Sequence, residues 1–322
     1  MVALQHEPRV AVVGATGAVG SQIVELLETR AFPKGNLTLF ASGASAESVE
    51  TENGNAEVEE LSDPADLRGF ALAFLAVPEK PAADIIAARP GPVLIDLSAC
   101  ARMPRGRSLV SPGIVTRERL LDLRGSMVFE TPHPAAHAIA SILAAVGSDA
   151  EPFGAILLTG ASARGRDQVA DVAQQSADFL SGRFHSEEEG VQHGFNIFAG
   201  EHERALAKII QAQLTAMTGR APKMALQTAT APILHGCVLA LQFPAAENLD
   251  TWLDRLRGAP GIVLVEGEES LGVADVLGQE AIVARLDRTG DSSATILAAF
   301  DNTRLAALIA TWIAENLLQT SH

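Results

Sequence analysis

Tyrosine is absent from this 322-residue chain, and cysteine occurs only twice, as Cys100 and Cys237. Two thiols build no disulfide framework, and no Cys-x-x-Cys pair marks a metal or redox motif. The missing tyrosine removes one general acid from the available chemistry. Positive charge is also short. The formal net charge is -15 and no basic stretch offsets it, which argues against nucleic-acid phosphates and anionic membrane surfaces as partners. No apolar run is long and uninterrupted enough to span a bilayer, and nothing ahead of Val10 reads as a leader, so a cytoplasmic location is expected. Internal repeats and low-complexity tracts are missing too.

What remains is ordinary globular composition, with 48% hydrophobic and 20% charged residues. The length suggests two domains. The stretch from Val10 to Glu28 organises the first. Val10 to Val13 is a short, mostly β-branched run suited to a buried parallel strand. Gly14, Gly17 and Gly20 follow at three-residue spacing, and Ile23, Val24, Leu26 and Leu27 then give the apolar stripe of a helix. A tight turn that exposes backbone N–H groups, without β-carbons, at a helix N-terminus is an anion-binding device. Between a strand and a helix it predicts dinucleotide binding through Gly14, Ala15, Thr16, Gly17, Ala18 and Val19.

Further strands are expected over residues 37–42, 70–77, 93–98 and 126–131, with helices over 81–88 and about 116–123. This alternation predicts a doubly wound parallel Rossmann sheet, of class α/β. The cofactor's ribose would lie at the end of the second strand, where Ser42 and Ser45 supply hydroxyls without charge. Glu47 and Glu50 follow in a segment read as solvated loop. From Phe153 the pattern changes. Strands are expected over 155–159, 223–230, 238–243, 262–266, 281–287 and 293–300, with helices over 167–180 and 202–217. Successive strands without intervening helices predict an α+β domain on an antiparallel or mixed sheet. An amphipathic helix over 304–318 would return to the first domain. The expected division is residues 1–130 plus 303–322 for the Rossmann domain and 131–302 for the second.

Several motifs together carry a likeness. Val12 to Gly20, Phe32-Pro33, Ile95-Asp96-Leu97-Ser98, Arg102-Met103, Pro232 to Gly236 and Asp301-Asn302-Thr303-Arg304 stand in the order seen in aspartate-semialdehyde dehydrogenases, which the chain resembles over nearly its whole length. The resemblance implies an NADP-binding Rossmann domain and a second domain that forms a homodimer interface. It also implies phosphate-requiring interconversion of aspartate semialdehyde and aspartyl phosphate in amino-acid biosynthesis. In that chemistry a cysteine thiol attacks the aldehyde, hydride passes to NADP, and phosphate releases the acyl group. By the same resemblance Asn302 lies near the nicotinamide and Arg102 holds the substrate phosphate. Ala44 falls near the arginine expected on the NADP 2′-phosphate, so NAD stays open as the cofactor.

The four catalytic positions depart from the family. The nucleophile's place is taken by Pro134, the orienting amide's by Ala161, the substrate arginine's by Thr230 and the histidine acid/base's by Cys237. Proline suits the first turn of a helix, so the backbone can persist while the nucleophile is gone. The run Ala161 to Gly165 followed by Gln174 to Ala177 looks much like paralogues of the dehydrogenase that lack the cysteine. Three functions stay open. One is a working dehydrogenase with Cys237, beside His235, or Cys100 as a relocated thiol. The second is a non-catalytic dinucleotide-binding dimer, a pseudoenzyme with a regulatory or partner role. The third is an oxidoreductase without a covalent intermediate. His133 and His137 stand four apart, but no third ligand joins them, so no metal site is expected; His133 reads as a helix cap or a surface residue. Arg164 and Arg166 read either as an anion site or as a solvated pair at a helix start.

Overall fold

The computed structural model describes residues 8–30, 32, 36–41, 49–51, 54–105, 108–116, 120, 122–123, 126–147, 150–183, 190–244, 249–267, 270–290 and 293–318. Two compact units divide the chain, one of residues 1–133 with 306–322, the other of residues 134–305.

The first unit is built on a seven-stranded sheet. Its strands are β1 (Val10–Val13), β2 (Leu37–Ala41), β5 (Val58–Glu60), β6 (Leu72–Leu75), β7 (Val93–Asp96), β8 (Ser108–Leu109) and β9 (Val128–Glu130), in the order β5-β2-β1-β6-β7-β9-β8. Every neighbouring pair runs parallel. The central strands β1 and β6 read VAVV and LAFL and are buried at every position, as two covered faces require. Helix α1 (Ala18–Thr29) buries Gly20, Ile23, Val24, Leu26 and Leu27, the stripe its sequence announces. Helix α2 (Glu79–Ala88) buries Ala82, Ile85 and Ile86. This is the doubly wound α/β architecture, with the chain order reversing beside β1. Four short strands correct the sequence reading: β5, β8, β3 (Val49–Thr51) and β4 (Gly54–Ala56). Glu50 belongs to β3, which pairs antiparallel with β4, not to a loop. The edge strand β5 was also unannounced, because its Val58-Glu59-Glu60 is too short and too polar to signal itself. Half of the 116–123 segment lies outside the described residues.

The second unit carries a six-stranded mixed sheet of β10 (Phe153–Thr159), β11 (Met224–Thr230), β12 (Cys237–Phe243), β13 (Ile262–Leu264), β14 (Ile282–Arg288) and β15 (Ala294–Phe300), in the order β11-β10-β12-β15-β14-β13. Strand β10 runs parallel to β11 and antiparallel to β12. Helices α3 (Pro134–Val146) and α5 (Glu201–Thr218) pack together, and α3 also packs on α6 (Leu249–Gly258). Helix α4 (Arg166–Leu180) buries only Val172. Helix α6 is a second correction, since none was expected between the strands at 243 and 262. Its apolar Leu249, Trp252, Leu253 and Leu256 are spaced for a helix face, and three of them are buried. Helix α7 (Asn302–Leu318) crosses from the second unit into the first and is buried on nearly every side rather than amphipathic. None of the described helices is long and apolar enough to cross a membrane.

Candidate functional site

In the first unit the β1–α1 turn is forced to be glycine by backbone contacts. Gly14 has φ +84°, and a β-carbon there would lie 2.3 Å from the Ala76 carbonyl oxygen. A β-carbon on Gly20 would lie 2.0 Å from the Gly14 carbonyl oxygen. The turn is held by Gly14 N–H and Ala15 N–H donating to the Phe40 carbonyl, and by Gly17 N–H donating to Gly14. Gly17 is the N-cap of α1 and has no side chain with which to cap it, so the first-turn N–H groups of α1 are left for a ligand or solvent. These residues fit a dinucleotide pyrophosphate. Ser42 and Ser45 lie outside the described residues, as do Ala44 and Glu47.

At the carboxyl ends of β7 and β9 stands a buried charge cluster. Arg102 Nη2 donates to Asp96 Oδ2 at 2.7 Å and to Glu130 Oε1 at 2.9 Å. Asp96 Oδ1 accepts from the Ser98 N–H and Oγ, which starts the short 3-10 turn Leu97–Ala101. Asp96, Ser98, Arg102 and Arg105 line a cavity of about 520 Å³ whose apolar wall includes Ile86 and Leu94. Arg102, expected to hold a phosphate, is thus already engaged by two carboxylates.

In the second unit the registers of β10, β11 and β12 set Thr159 beside Thr230 on one side and Cys237 on the other, all three buried. Two residues beyond Thr159, Ala161 N–H donates to Ile233 and Ser162 N–H to Leu234. Asn302 Oδ1 accepts from Ser162 Oγ and from Gly236 N–H, each at 3.0 Å, and so ties the 161–164 turn to the 232–236 turn.

A family model described as the semialdehyde dehydrogenase NAD binding domain matches residues 9–123. A USG-1 protein homolog from Azotobacter vinelandii is 30% identical, across 96% of this chain and 97% of that protein. An aspartate-semialdehyde dehydrogenase from Shewanella sp. (strain DB6705) is 32% identical across 56% of this chain and 54% of its own. The solved structure of a probable aspartate-semialdehyde dehydrogenase from Pseudomonas aeruginosa superposes with a TM-score of 0.83, at 26% identity, over 98% of this chain and 100% of that one. The chain belongs to the aspartate-semialdehyde dehydrogenase family. Its first unit is that family's dinucleotide-binding domain.

The residues expected at the family's catalytic positions are packed or hydrogen-bonded within the chain. Pro134 opens α3 and is buried. Thr230 Oγ1 donates to Glu203 Oε1 at 2.8 Å. Cys237 is 0% exposed, and burial, with Asp301 adding, pushes its thiol up to about 12 against a backbone hydrogen bond at Gly160. His235 is exposed while Cys237 faces the core, so the two are not a nucleophile and its base. Gly236 is a turn residue at φ +86° ahead of β12 rather than a bulge. The half-buried Cys100 is pushed up to about 11 by burial and by Asp96, against Arg102.

Two further readings change. His133 precedes α3 and is buried rather than on the surface, while His137 lies within α3 and is held down to about 4 by burial. Among the described residues no group of three or more His, Cys, Asp or Glu side chains is placed to hold a metal ion. Arg164 is not one of a solvated pair: it donates to Glu203 Oε1 at 2.9 Å, while Arg166 is exposed. Glu130 and Glu203, two of the buried carboxylates, were missed. The one available signal was an acidic residue closing an apolar strand, in Met127-Val128-Phe129-Glu130.

Proposed function

We propose that this chain is an aspartate-semialdehyde dehydrogenase-like homodimer that binds NADP at the β1–α1 turn and has lost the covalent step of its family. The observation that carries the reading is a contrast. Gly14 and Gly20 leave no room for a β-carbon and the first-turn N–H groups of α1 stay uncapped, as a dinucleotide phosphate requires, whereas the nucleophile position is Pro134 and both thiols sit far above the range in which a thiolate forms near neutral pH. Bound dinucleotide would supply a hydride donor or acceptor, with Gly14 to Val19 holding the pyrophosphate. The open face of the second sheet supports the homodimer. Leu158 stands beside Val238, and Ile156, which is exposed, beside Ala240 and Leu297, in adjacent registered rows. An apolar surface of this kind calls for a partner.

Two measurements on the purified full chain test this. Thermal unfolding with NADP or NAD is expected to shift upward with ligand concentration, as mass action requires, and Gly20→Ala is expected to abolish the shift. Phosphate-dependent reduction of NADP with aspartate semialdehyde is expected to run at least about a thousandfold below an intact relative. Turnover at an intact relative's rate, lost on replacing Cys100 or Cys237, would overturn the proposal.

A further inference from the structure

The Arg164 cluster in the second unit has more donors than its visible acceptors use. Arg164 closes the short turn Ala161–Arg164 at the end of β10. It is followed by Gly165 at φ +102°, a conformation that only glycine adopts readily. The guanidinium is thereby turned toward Glu203 instead of continuing outward along α4. Glu203 is 1% exposed, and both oxygens of its carboxylate are engaged. Oε1 accepts from Arg164 Nη2 and from Thr230 Oγ1, and Oε2 accepts from the Gly200 N–H at the start of α5. Arg164 Nε and Gln168 Nε2, by contrast, are buried with no hydrogen-bond partner among the described residues. Arg164 and Gln168 stand four apart across the start of α4. The Arg164 side chain keeps 20% of its surface open, so an approach from solvent remains. His202 lies close enough that Arg164, together with burial, lowers its pKa.

Two unsatisfied donors beside a half-open guanidinium call for a planar acceptor with two oxygens. Arg164 Nη2 and Thr230 Oγ1 share one acceptor oxygen, so the cation stands two hydrogen bonds from the side chain at 230. We propose that Arg164, with Gln168, binds a small organic carboxylate, and that the chain has in this way moved to position 164 the cation its relatives place at 230. The second clause rests on the alignment of Thr230 used in the functional reading; the binding itself rests on the geometry alone.

The test is a titration of the full-length wild-type protein with sodium succinate, at ionic strength held constant with sodium chloride. Sodium sulfate serves as a comparator, because excluded anions stabilise folded proteins generally. Saturable heat on calorimetry and a rise in Tm beyond the sulfate control are expected. Arg164→Lys keeps the charge but loses the fork, and is expected to bind at least tenfold more weakly; Gln168→Leu is also expected to bind more weakly. Arg164→Met is expected to bind no succinate while keeping its circular dichroism. If Arg164→Met does not fold, the Arg164→Lys and Gln168→Leu affinities decide. A wild-type response no larger than that to sulfate, or unchanged affinity in Arg164→Lys and Gln168→Leu, would overturn the proposal. NADP is titrated separately in the absence of succinate, so a failure of dinucleotide binding leaves the carboxylate result standing, and the reverse.

Discussion

Replacing Arg102 by methionine should unfold the first unit far more readily than any surface change in the chain. Arg102 is 7% exposed, and its two acceptors, Asp96 and Glu130, are 0% exposed. Glu130 Oε2 has no hydrogen-bond partner among the described residues, so Glu130 depends on Arg102 for the one side-chain bond described, at Oε1. Asp96 would keep its bonds from Ser98. Glu130 would be left a buried, unpaired carboxylate. Breaking a buried pair from one side costs about 3–5 kcal/mol, against a total stability of about 5–15 kcal/mol for a typical domain. For a unit of this size that corresponds to a fall in Tm of about 6–20 °C. The chain itself provides the assay. It has two tryptophans and no tyrosine; Trp252 lies in α6 of the second unit and Trp312 in the part of α7 that belongs to the first. In a Trp252→Phe background, urea unfolding followed by tryptophan fluorescence therefore reports on the first unit. Adding Glu130→Gln to Arg102→Met should recover a large part of the loss, because a neutral amide replaces the unpaired charge. A loss below about 1 kcal/mol in Arg102→Met, the range of exposed ion pairs, would refute the argument.

Two further outcomes follow from the buried groups. With thiols at about 11 and about 12, the thiolate fraction near pH 7 is about one in ten thousand or less. Iodoacetamide should therefore label the native protein only very slowly, with Cys237 the slower, and both sites rapidly in urea; rapid native labelling of Cys237 at pH 7 would contradict its burial. His137 gives a pH dependence of definite sign. Burial lowers its folded pKa from 6.5 to about 4, so the unfolded chain takes up a proton that the folded chain refuses. Its contribution is present above pH 6.5 and is lost as pH falls toward 4, by about 3 kcal/mol. His202 acts in the same sense, whereas Glu203 and Asp301, held below the usual carboxylate range by their hydrogen bonds against the opposing effect of burial, give up their contribution only at lower pH. Urea midpoints measured between pH 7 and 4.5 should fall, and His137→Gln should flatten that slope; an unchanged slope would rule out His137 as the source.

The parts of this molecule that could be read from sequence are those whose causes are local. The β1–α1 turn announces itself because strand, glycines and helix stripe lie within nineteen consecutive residues, and Gly14 and Gly20 touch each other across only six positions. Strands β10 to β15 were legible from alternation or apolar runs, and the turn signal at 288–292 announced the antiparallel β14–β15 pair; the pairing of the others was not, since register is decided by partners distant in the chain. Helix α6 carried its signal openly in Leu249, Trp252 and Leu256 and was overlooked beside its acidic and basic neighbours. Charged clusters were the least legible. Arg102 meets Glu130 across 28 positions and Arg164 meets Glu203 across 39, and nothing in either segment alone marks its partner.

On the proposed reading, the four positions carried over from the family pattern explain how a fold would outlive its chemistry. A catalytic side chain must be available to substrate, so each one is a place where packing is left incomplete. Here each of those places has been filled. Proline at 134 opens α3 in the position where its missing N–H costs least. Ala161 is buried and spends its backbone N–H on Ile233. Thr230 gives its hydroxyl to Glu203, and Cys237 packs with no exposed surface. Each change exchanges a reactive group for a satisfied one, the direction that favours stability when selection for turnover is relaxed. The glycine turn has not been filled. Gly14 and Gly20 are sterically required, and that alone would preserve them. The start of α1 at Gly17 is uncapped: serine, threonine, aspartate or asparagine there would stabilise the helix over glycine by only about a few tenths of a kcal/mol. The first-turn N–H groups it leaves uncapped are those the proposed function assigns to the dinucleotide phosphates.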